Sequence, residues 1–390
     1  MKINHFFGTL QNFFLTLSNF IFQGSKSFLP SKPKPLRCGV RDFTIPELGI
    51  SSARIFYPSE SPDNVNVPWF THRDLPHIVK GKLDFFFNPE TRSTTFTVFV
   101  WVLHFLAKFV PTALLPRIPN TSLEIPCVQN TSLPLIVWSH GKGGNIHDHA
   151  LMLSQFAVEV PALCLCVNHA DGSADFWRNS DNKPRYFRHP IVSGSDDRYL
   201  KEMREMAEYQ IQYRCNELAE AVAHLKHRLG FNFSKIFFGG FDLGGPTALQ
   251  LAPTLHAVGA VSLDGTFSVN EKFQFPRDVF GQQEISIPAA FLLSDEWELW
   301  NRVMTDNTKI LTEKTTNHKL ITVKQTKHNN FIEYMFWVPQ LLVIVLRLTG
   351  IIHRRGSPRK TYRRTVKWLV ALIQQYLEGS PGGLCFRPDM

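Results

Sequence analysis

The sequence lacks the patterns that mark zinc modules, repeat proteins and lipid-anchored proteins. It contains six cysteines, but no two of them form a C-x-x-C pair, which argues against a zinc site. No internal repeat or low-complexity tract is present, and proline and glycine are not in excess. Lys2 stands where N-myristoylation requires glycine. We therefore expect a globular protein that carries no metal and no cofactor.

The length and composition suit one large α/β domain. The chain has 390 residues, of which 44% are hydrophobic, enough for a full core. Its net charge is +9, yet without one basic run near the C-terminus 34 basic residues face 33 acidic ones. The run consists of Arg347, Arg354, Arg355, Arg359, Lys360, Arg363, Arg364 and Lys367. It lacks a nucleic-acid recognition motif, so it is either a surface for anionic lipid headgroups or a solvated loop.

Residues 1–24 place apolar side chains at helical spacing and polar side chains on the opposite face. The polar interruptions make this stretch a poor transmembrane span. We expect an amphipathic helix on a membrane or docked on the domain, with a poorly formed signal peptide as the alternative. A linker follows at 25–35, the domain is expected at 36–378, and a tail at 379–390. Peripheral membrane association is expected, while the compartment, cytoplasmic or secreted, stays open.

The most apolar stretch of the chain spans residues 94–115. His104, Lys108 and Pro111 interrupt it, which argues against a transmembrane helix. A half-exposed helix at a lipid interface fits the pattern best, and a wholly buried helix is the alternative.

Apolar runs typical of buried strands alternate with helical patterns along the domain. The predicted buried strands are 133–138, 161–168, the run from Lys235 into the glycines at 239–240, 257–263, 287–293 and 320–326. Residues 52–58 alternate like an antiparallel strand, and 198–228 carry helical periodicity. This order predicts an α/β fold with a doubly wound, mostly parallel sheet, in which ligands bind at the carboxyl ends of the strands.

One strand end carries the strand–turn–helix context of a nucleophile elbow, G-x-S-x-G, in the form Gly240-Phe241-Asp242-Leu243-Gly244. The residue at its tip is Asp242 instead of serine. The strand at 133–138 runs into His140-Gly141-Lys142-Gly143-Gly144, a loop type that supplies oxyanion-binding amides in this fold. The loop at 169–173 is expected to face the same site.

Two further polar residues follow later strands in the chain order that α/β-hydrolases use. Asp264 ends the strand after the elbow helix, and His328 follows the last strand. His328 would be the general base, and Asp264 would hold its tautomer and stabilise the imidazolium.

With these residues in place, the chain resembles the platelet-activating factor acetylhydrolases of the plasma and type II intracellular kind. The resemblance runs over about residues 36–378, through the stretches 36–39, 55–58, 134–141, 167–169, the elbow, 262–264 and 322–331. It implies an α/β-hydrolase fold and calcium-independent hydrolysis of short or oxidised sn-2 acyl groups of phospholipids. It also implies that Asp264 and His328 are the catalytic acid and base, that the amides of Lys142 and Leu243 form the oxyanion hole, and that residues 94–115 and 336–348 contact membranes or lipoproteins.

The sequence departs from the family at the catalytic serine, replaced by Asp242, and at Lys142, where the family has an apolar residue. Attack by a carboxylate on an ester would give an anhydride, and the adduct would collapse backwards because the alkoxide is the worse leaving group. Three hypotheses about function follow. The protein is a lipid-binding member without the covalent mechanism, a weak hydrolase in which His328 and Asp242 activate water, or an Asp-nucleophile hydrolase of epoxides or alkyl halides.

Overall fold

The computed structural model describes residues 37–45, 50–59, 67–70, 73–90, 93–109, 121–122, 132–179, 181–189, 197–269, 273–282, 284–300, 302–314, 318–333 and 358–379. The predicted N-terminal helix, the linker, the apolar run 336–348, the first part of the basic run and the tail from residue 380 onward lie outside these residues.

Nine strands of the described chain form one sheet, and two more form a separate hairpin. In chain order the strands are β1 (Arg37–Ile45), β2 (Ile50–Ser59), β3 (Thr121–Ser122), β4 (Leu133–Ser139), β5 (Leu163–Val167), β6 (Phe176–Arg178), β7 (Pro184–Tyr186), β8 (Phe233–Phe241), β9 (Gly259–Leu263), β10 (Ala289–Ser294) and β11 (Lys319–Val323). The order across the sheet is β11-β10-β9-β8-β4-β5-β2-β1-β3, and β6 pairs with β7.

Helices connect most of these strands. They are α1 (Leu75–Phe86), α2 (Thr94–Ala107), α3 (Ala150–Glu159), α4 (Asp197–His227), α5 (Gly244–Thr254), α6 (Arg277–Gly281), α7 (Asp295–Trp300), α8 (Arg302–Glu313) and α9 (Pro358–Glu378), with a 3-10 turn at His328–Phe331.

The strands from β11 to β5 run parallel to one another, and β2 and β1 add antiparallel partners beyond β5. The predicted mostly parallel, doubly wound sheet is therefore confirmed. Individual bounds differ by a few residues, as at β10, which was expected at 287–293 and begins at Ala289. All parallel strands point their carboxyl ends toward the elbow, so the residues that follow them meet at one edge.

The sheet is buried on both faces because successive residues of a strand point to opposite sides. On β8, Phe237 belongs to one core layer and Phe238 to the other, and both are fully buried. The first layer is covered by α3 and α9 and the second by α4 and α5. Full burial of one such side chain contributes about 1.5–3 kcal/mol, so both layers hold the elbow strand in place.

Helix α9 is tied to α3 through the buried carboxyl group of Glu333. The amides of Leu151 and Met152, at the start of α3, each donate to Glu333 at 2.7 Å, and the Tyr362 hydroxyl of α9 donates to it as well. Burial raises the pKa of Glu333 to about 8, although these hydrogen bonds act to lower it.

Helix α2 exposes apolar side chains. Trp101 is 70% exposed and Phe109, just beyond the helix, is 66% exposed, while Val98, Val102 and Phe105 are also exposed. A contiguous exposed apolar face of this kind is unusual on the surface of a monomeric protein. The wholly buried alternative is therefore wrong for residues 94–109, while residues 110–115 lie outside the described part of the chain. No helix in the described part of the chain is long and apolar enough to cross a membrane.

Candidate active site

The elbow is a sharp turn between β8 and α5 that close backbone packing makes possible. A Cβ on Gly240 would lie 2.0 Å from the carbonyl oxygen of Gly244, and a Cβ on Gly244 would lie 2.1 Å from that of Ser139. Only glycine allows these approaches. At the tip, Asp242 has φ +50°, in the left-handed region that aspartate tolerates better than most residues.

The carboxylate of Asp242 is held by two donors. The backbone amide of Lys142 donates to Oδ2 at 2.8 Å, and the hydroxyl of Thr266 donates to Oδ1. The side chain is largely buried, with the residue only 8% exposed. The amide expected to stabilise an oxyanion is therefore already bonded to a resident negative charge.

Asp264 follows β9 and is fully buried behind His328. Its Oδ1 accepts from the backbone amide of Ser294 at 2.6 Å, and its Oδ2 lies 3.2 Å from Nδ1 of His328. Burial raises the pKa of Asp264, although the hydrogen bonds from His328 and Ser294 favour the carboxylate and act to lower it. The pairing gives His328 the Nδ1–H tautomer and leaves Nε2 as its second functional atom.

His328 is fixed by two aromatic rings and an acidic residue. Its ring stacks on Trp297, with centroids 4.3 Å apart and planes at 10°, and lies 4.5 Å from the ring of Phe241. Its backbone amide donates to Glu296 at 2.9 Å. Burial alone would lower the pKa of His328, but the hydrogen bond and charge of Asp264, with the charges of Asp242 and Glu296, raise it.

Asp242 and His328 line one small cavity of about 70 Å³ together with the loop at 141–144. Lys82, Phe85 and Phe86 of α1 line its other side. Pockets for whole drug-sized ligands are several times larger, at about 300–1,000 Å³. The cavity therefore has room for a short chain end and not for an entire lipid.

The two residues predicted to supply oxyanion amides lie on either side of the elbow tip. Lys142 donates its amide to Asp242, as described above, and its side chain is half-buried at the cavity wall. Leu243 directly follows Asp242, is fully buried and stands at the N-cap of α5. No group of three or more metal-ligating side chains is placed to hold an ion within the described ranges.

The loop at 169–173 does not line this cavity, contrary to expectation. Instead it packs behind the loop at 140–144, here called the oxyanion loop. The backbone carbonyl of Ser173 accepts a hydrogen bond from the amide of Gly143 at 2.7 Å. His169 is fully buried between Ser139, 2.9 Å from its Nε2, and Glu217, 2.8 Å from its Nδ1. Ser139, His169 and Glu217 are hydrogen-bonded in the same order as the residues of a catalytic triad, but they are buried and no substrate can reach them.

Sequence reasoning also missed Thr266, Trp297 and the buried Arg214, which donates to the carbonyl of His140 at 2.6 Å. Thr266 lies two residues after Asp264, and Trp297 lies three residues after the end of β10. Their position near strand ends was the only feature of the sequence that could have indicated a place in the site. Arg214 sits in the middle of α4, where nothing in the sequence indicates a contact with the oxyanion loop.

A sequence model of the family described as platelet-activating factor acetylhydrolase, isoform II, matches residues 23–379. The chain belongs to this family. Its fold is also similar to that of a ferulic acid esterase from Streptomyces cinnamoneus, with TM-score 0.60 at 15% identity over 92% of this chain and 95% of that one. A hyperthermophilic esterase from Pyrobaculum calidifontis aligns with TM-score 0.40 at 12% identity over 95% and 93% of the two chains. No curated protein matched the chain.

Family membership and the esterase-like fold identify the protein as an α/β-hydrolase-fold member of the acetylhydrolase family. The predicted family and fold class are thereby confirmed. The roles of Asp242, Asp264, His328, Lys142 and Leu243 remain predictions.

Proposed function

We propose that this protein has lost the covalent mechanism of its family, and that it binds phospholipids with short or oxidised sn-2 acyl chains without hydrolysing them. The observation that carries the proposal is the 2.8 Å hydrogen bond from the Lys142 amide to the carboxylate of Asp242. An oxyanion hole works by leaving its donors free for charge that develops in the transition state. Here the side chain of Asp242 already occupies this donor.

The chemistry at the elbow points the same way. Attack by the Asp242 carboxylate on an ester carbonyl would form an anhydride and expel an alkoxide. The alkoxide is a far worse leaving group than the carboxylate, so the adduct would return to reactants. His328 has no proton to remove from a carboxylate, and serine activation by a neighbouring histidine has no counterpart here.

The cavity and the exposed apolar face support the lipid part of the proposal. A volume of about 70 Å³ accepts a short acyl end, while the rest of a lipid would remain outside. The exposed side chains of α2, with Phe86 and Phe87 at the end of α1, provide an apolar surface for a bilayer or lipoprotein. The exposed basic side chains Lys360, Arg363, Arg364 and Lys367 of α9 would attract anionic headgroups at their own part of the surface.

The test separates binding from turnover. Pure protein is titrated calorimetrically with short-chain phospholipids below their micelle concentration, and the same mixtures are analysed by mass spectrometry for released acyl groups. We expect saturable binding and no release above the rate without protein. Release that disappears in Asp264→Asn and His328→Gln variants would overturn the proposal, since it would show a working hydrolase, including one in which Asp242 and His328 activate water.

A second function deserves a test because the carboxylate–histidine–carboxylate arrangement also suits attack on an alkyl carbon. Asp242 would open an epoxide or displace a halide, and His328 would activate water on the resulting ester. A single turnover of a short epoxide in ¹⁸O-water would place one ¹⁸O in the Asp242 carboxylate, because water attacks the acyl carbon of the ester and the product leaves with an original aspartate oxygen. An unlabelled Asp242 peptide excludes this route.

A further inference from the structure

Two lysines line the cavity, and their amines are in opposite situations. Lys82 reaches the cavity from α1, and Lys142 from the oxyanion loop. Both side chains are only partly exposed to water, so the difference in reactivity depends on their partners.

The amine of Lys82 is fully paired. It lies 2.9 Å from Asp148 Oδ2 and 3.3 Å from Asp175 Oδ2, and it donates to the carbonyl of Gly143 at 2.8 Å. Burial by itself would lower the pKa of Lys82, but the two carboxylates raise it. Lys82 is therefore held as an ammonium ion, which has no lone pair for nucleophilic attack.

The amine of Lys142 has no such support. Of the ion pairs formed by the described residues, none includes it, and the one hydrogen bond that Lys142 gives to Asp242 comes from its backbone. Burial lowers the pKa of Lys142 and the positive charge of Arg214 adds to this, whereas the charges of Asp242 and Asp171 oppose it. Desolvation without a partner is how proteins activate lysine as a nucleophile.

We propose that Lys142 captures aldehydes in this cavity as imines. The nitrogen lone pair adds to the carbonyl carbon, the carbonyl oxygen takes up a proton, and the nitrogen releases one, giving a carbinolamine. Loss of the hydroxyl group with a further proton as water then leaves the C=N bond. The sequence consumes one amine and one aldehyde, yields one imine and one water, and needs no oxidant or other reactant.

The geometry supplies what this chemistry needs. Asp242 and His328 lie on the same cavity and can exchange protons with the carbinolamine oxygen. The cavity of about 70 Å³ holds about five water-sized volumes, enough for a terminal aldehyde and a few carbons. That the aldehyde is carried by an oxidised acyl chain rests on the proposed function, whereas the reactivity of the amine does not.

The experiment treats the full-length protein with propanal and sodium cyanoborohydride at neutral pH, which fixes imines as propyl-lysine. The reaction is stopped at low conversion and the modified lysines are located by peptide mass spectrometry. We expect Lys142 to be modified at least tenfold faster than the typical exposed lysine, with Lys82 unmodified. A Lys142→Arg variant, which keeps the positive charge, should lose the fast phase and retain the slow labelling.

Labelling spread evenly over the exposed lysines, or a fast site other than Lys142, would overturn the inference without recourse to any variant. A second arm replaces propanal by a phospholipid with a short sn-2 chain that ends in an aldehyde. Propanal capture at Lys142 without capture of this lipid would refute the proposed lipid ligand and leave the amine chemistry standing. Saturable lipid binding with no adduct in either arm would refute the inference and leave the proposed function standing.

Discussion

Replacing Asp242 by serine tests the elbow directly. The change removes the carboxylate that now accepts the Lys142 amide and the Thr266 hydroxyl. It leaves the glycine packing around the turn and the Asp264–His328 pair untouched. The new hydroxyl would stand on the cavity that His328 lines, so the histidine has a proton to remove.

The magnitude follows from the freed amide. One oxyanion donor contributes about 10²–10³ in kcat, or roughly 3 kcal/mol of transition-state stabilisation. Against this, an error of about one ångström in the placement of the serine would cost about a hundredfold relative to a working esterase. We therefore expect Asp242→Ser to exceed the wild type by at least about a hundredfold in ester hydrolysis and to fall about as far below an optimised enzyme.

The assay follows turnover of a 2-thio phospholipid with a short sn-2 chain and labelling by a fluorophosphonate probe. Asp242→Asn is the matched control, because it removes the charge, supplies no nucleophile and fits the left-handed backbone equally well. A folded Asp242→Ser protein that is neither active nor labelled would refute the reasoning. Strong labelling of the wild type would place the nucleophile elsewhere, although the burial of Ser139 already removes that serine from consideration.

Three further predictions concern charge and surface. His328 should titrate above its ordinary pKa of about 6.5. The stability from its pairing with Asp264 is therefore fully present below about pH 6.5 and is lost as the pH rises through the raised pKa. An NMR titration that gives a pKa below about 6.5 would contradict the pairing. Glu333, with a folded pKa of about 8, should lower the free energy of unfolding as the pH rises from about 4.5 to 8. Glu333→Gln should flatten this pH dependence, measured by urea unfolding at several pH values. An unchanged pH dependence would show that another group causes it. Trp101→Ser should reduce vesicle sedimentation several-fold at any salt concentration, whereas Tyr209→Ser, at a similarly exposed aromatic of α4, should not. Equal losses would argue against α2 as the contact face.

The sequence predicted the parts of the fold that depend on local patterning. Apolar runs and the glycines of the elbow placed the parallel strands to within a few residues, since strand burial leaves a direct record in composition. The positions of Asp264 and His328 followed from strand ends, because parallel strands bring those ends to one edge.

The sequence did not predict which groups on different helices, strands and loops bond to one another. Nothing in the chain order indicates that the amide of Lys142 bonds Asp242, a hundred residues away, or that Arg214 of α4 reaches His140. The loop at 169–173 was misjudged for the same reason: following a strand brings a residue to the correct edge, but packing against α4 decided which way it faced.

The left-handed backbone at the elbow tip also bears on how its residue can change over generations. Serine codons of the AGY type and the aspartate codons GAY differ at two nucleotides, so single steps pass through glycine (GGY) or asparagine (AAY). Both intermediates are residues that adopt φ near +50° readily, and asparagine preserves most of the shape of aspartate. The turn that Asp242 occupies therefore offers little steric resistance along either route, and an exchange of serine and aspartate at this position would alter the chemistry of the site while leaving the fold intact at every step.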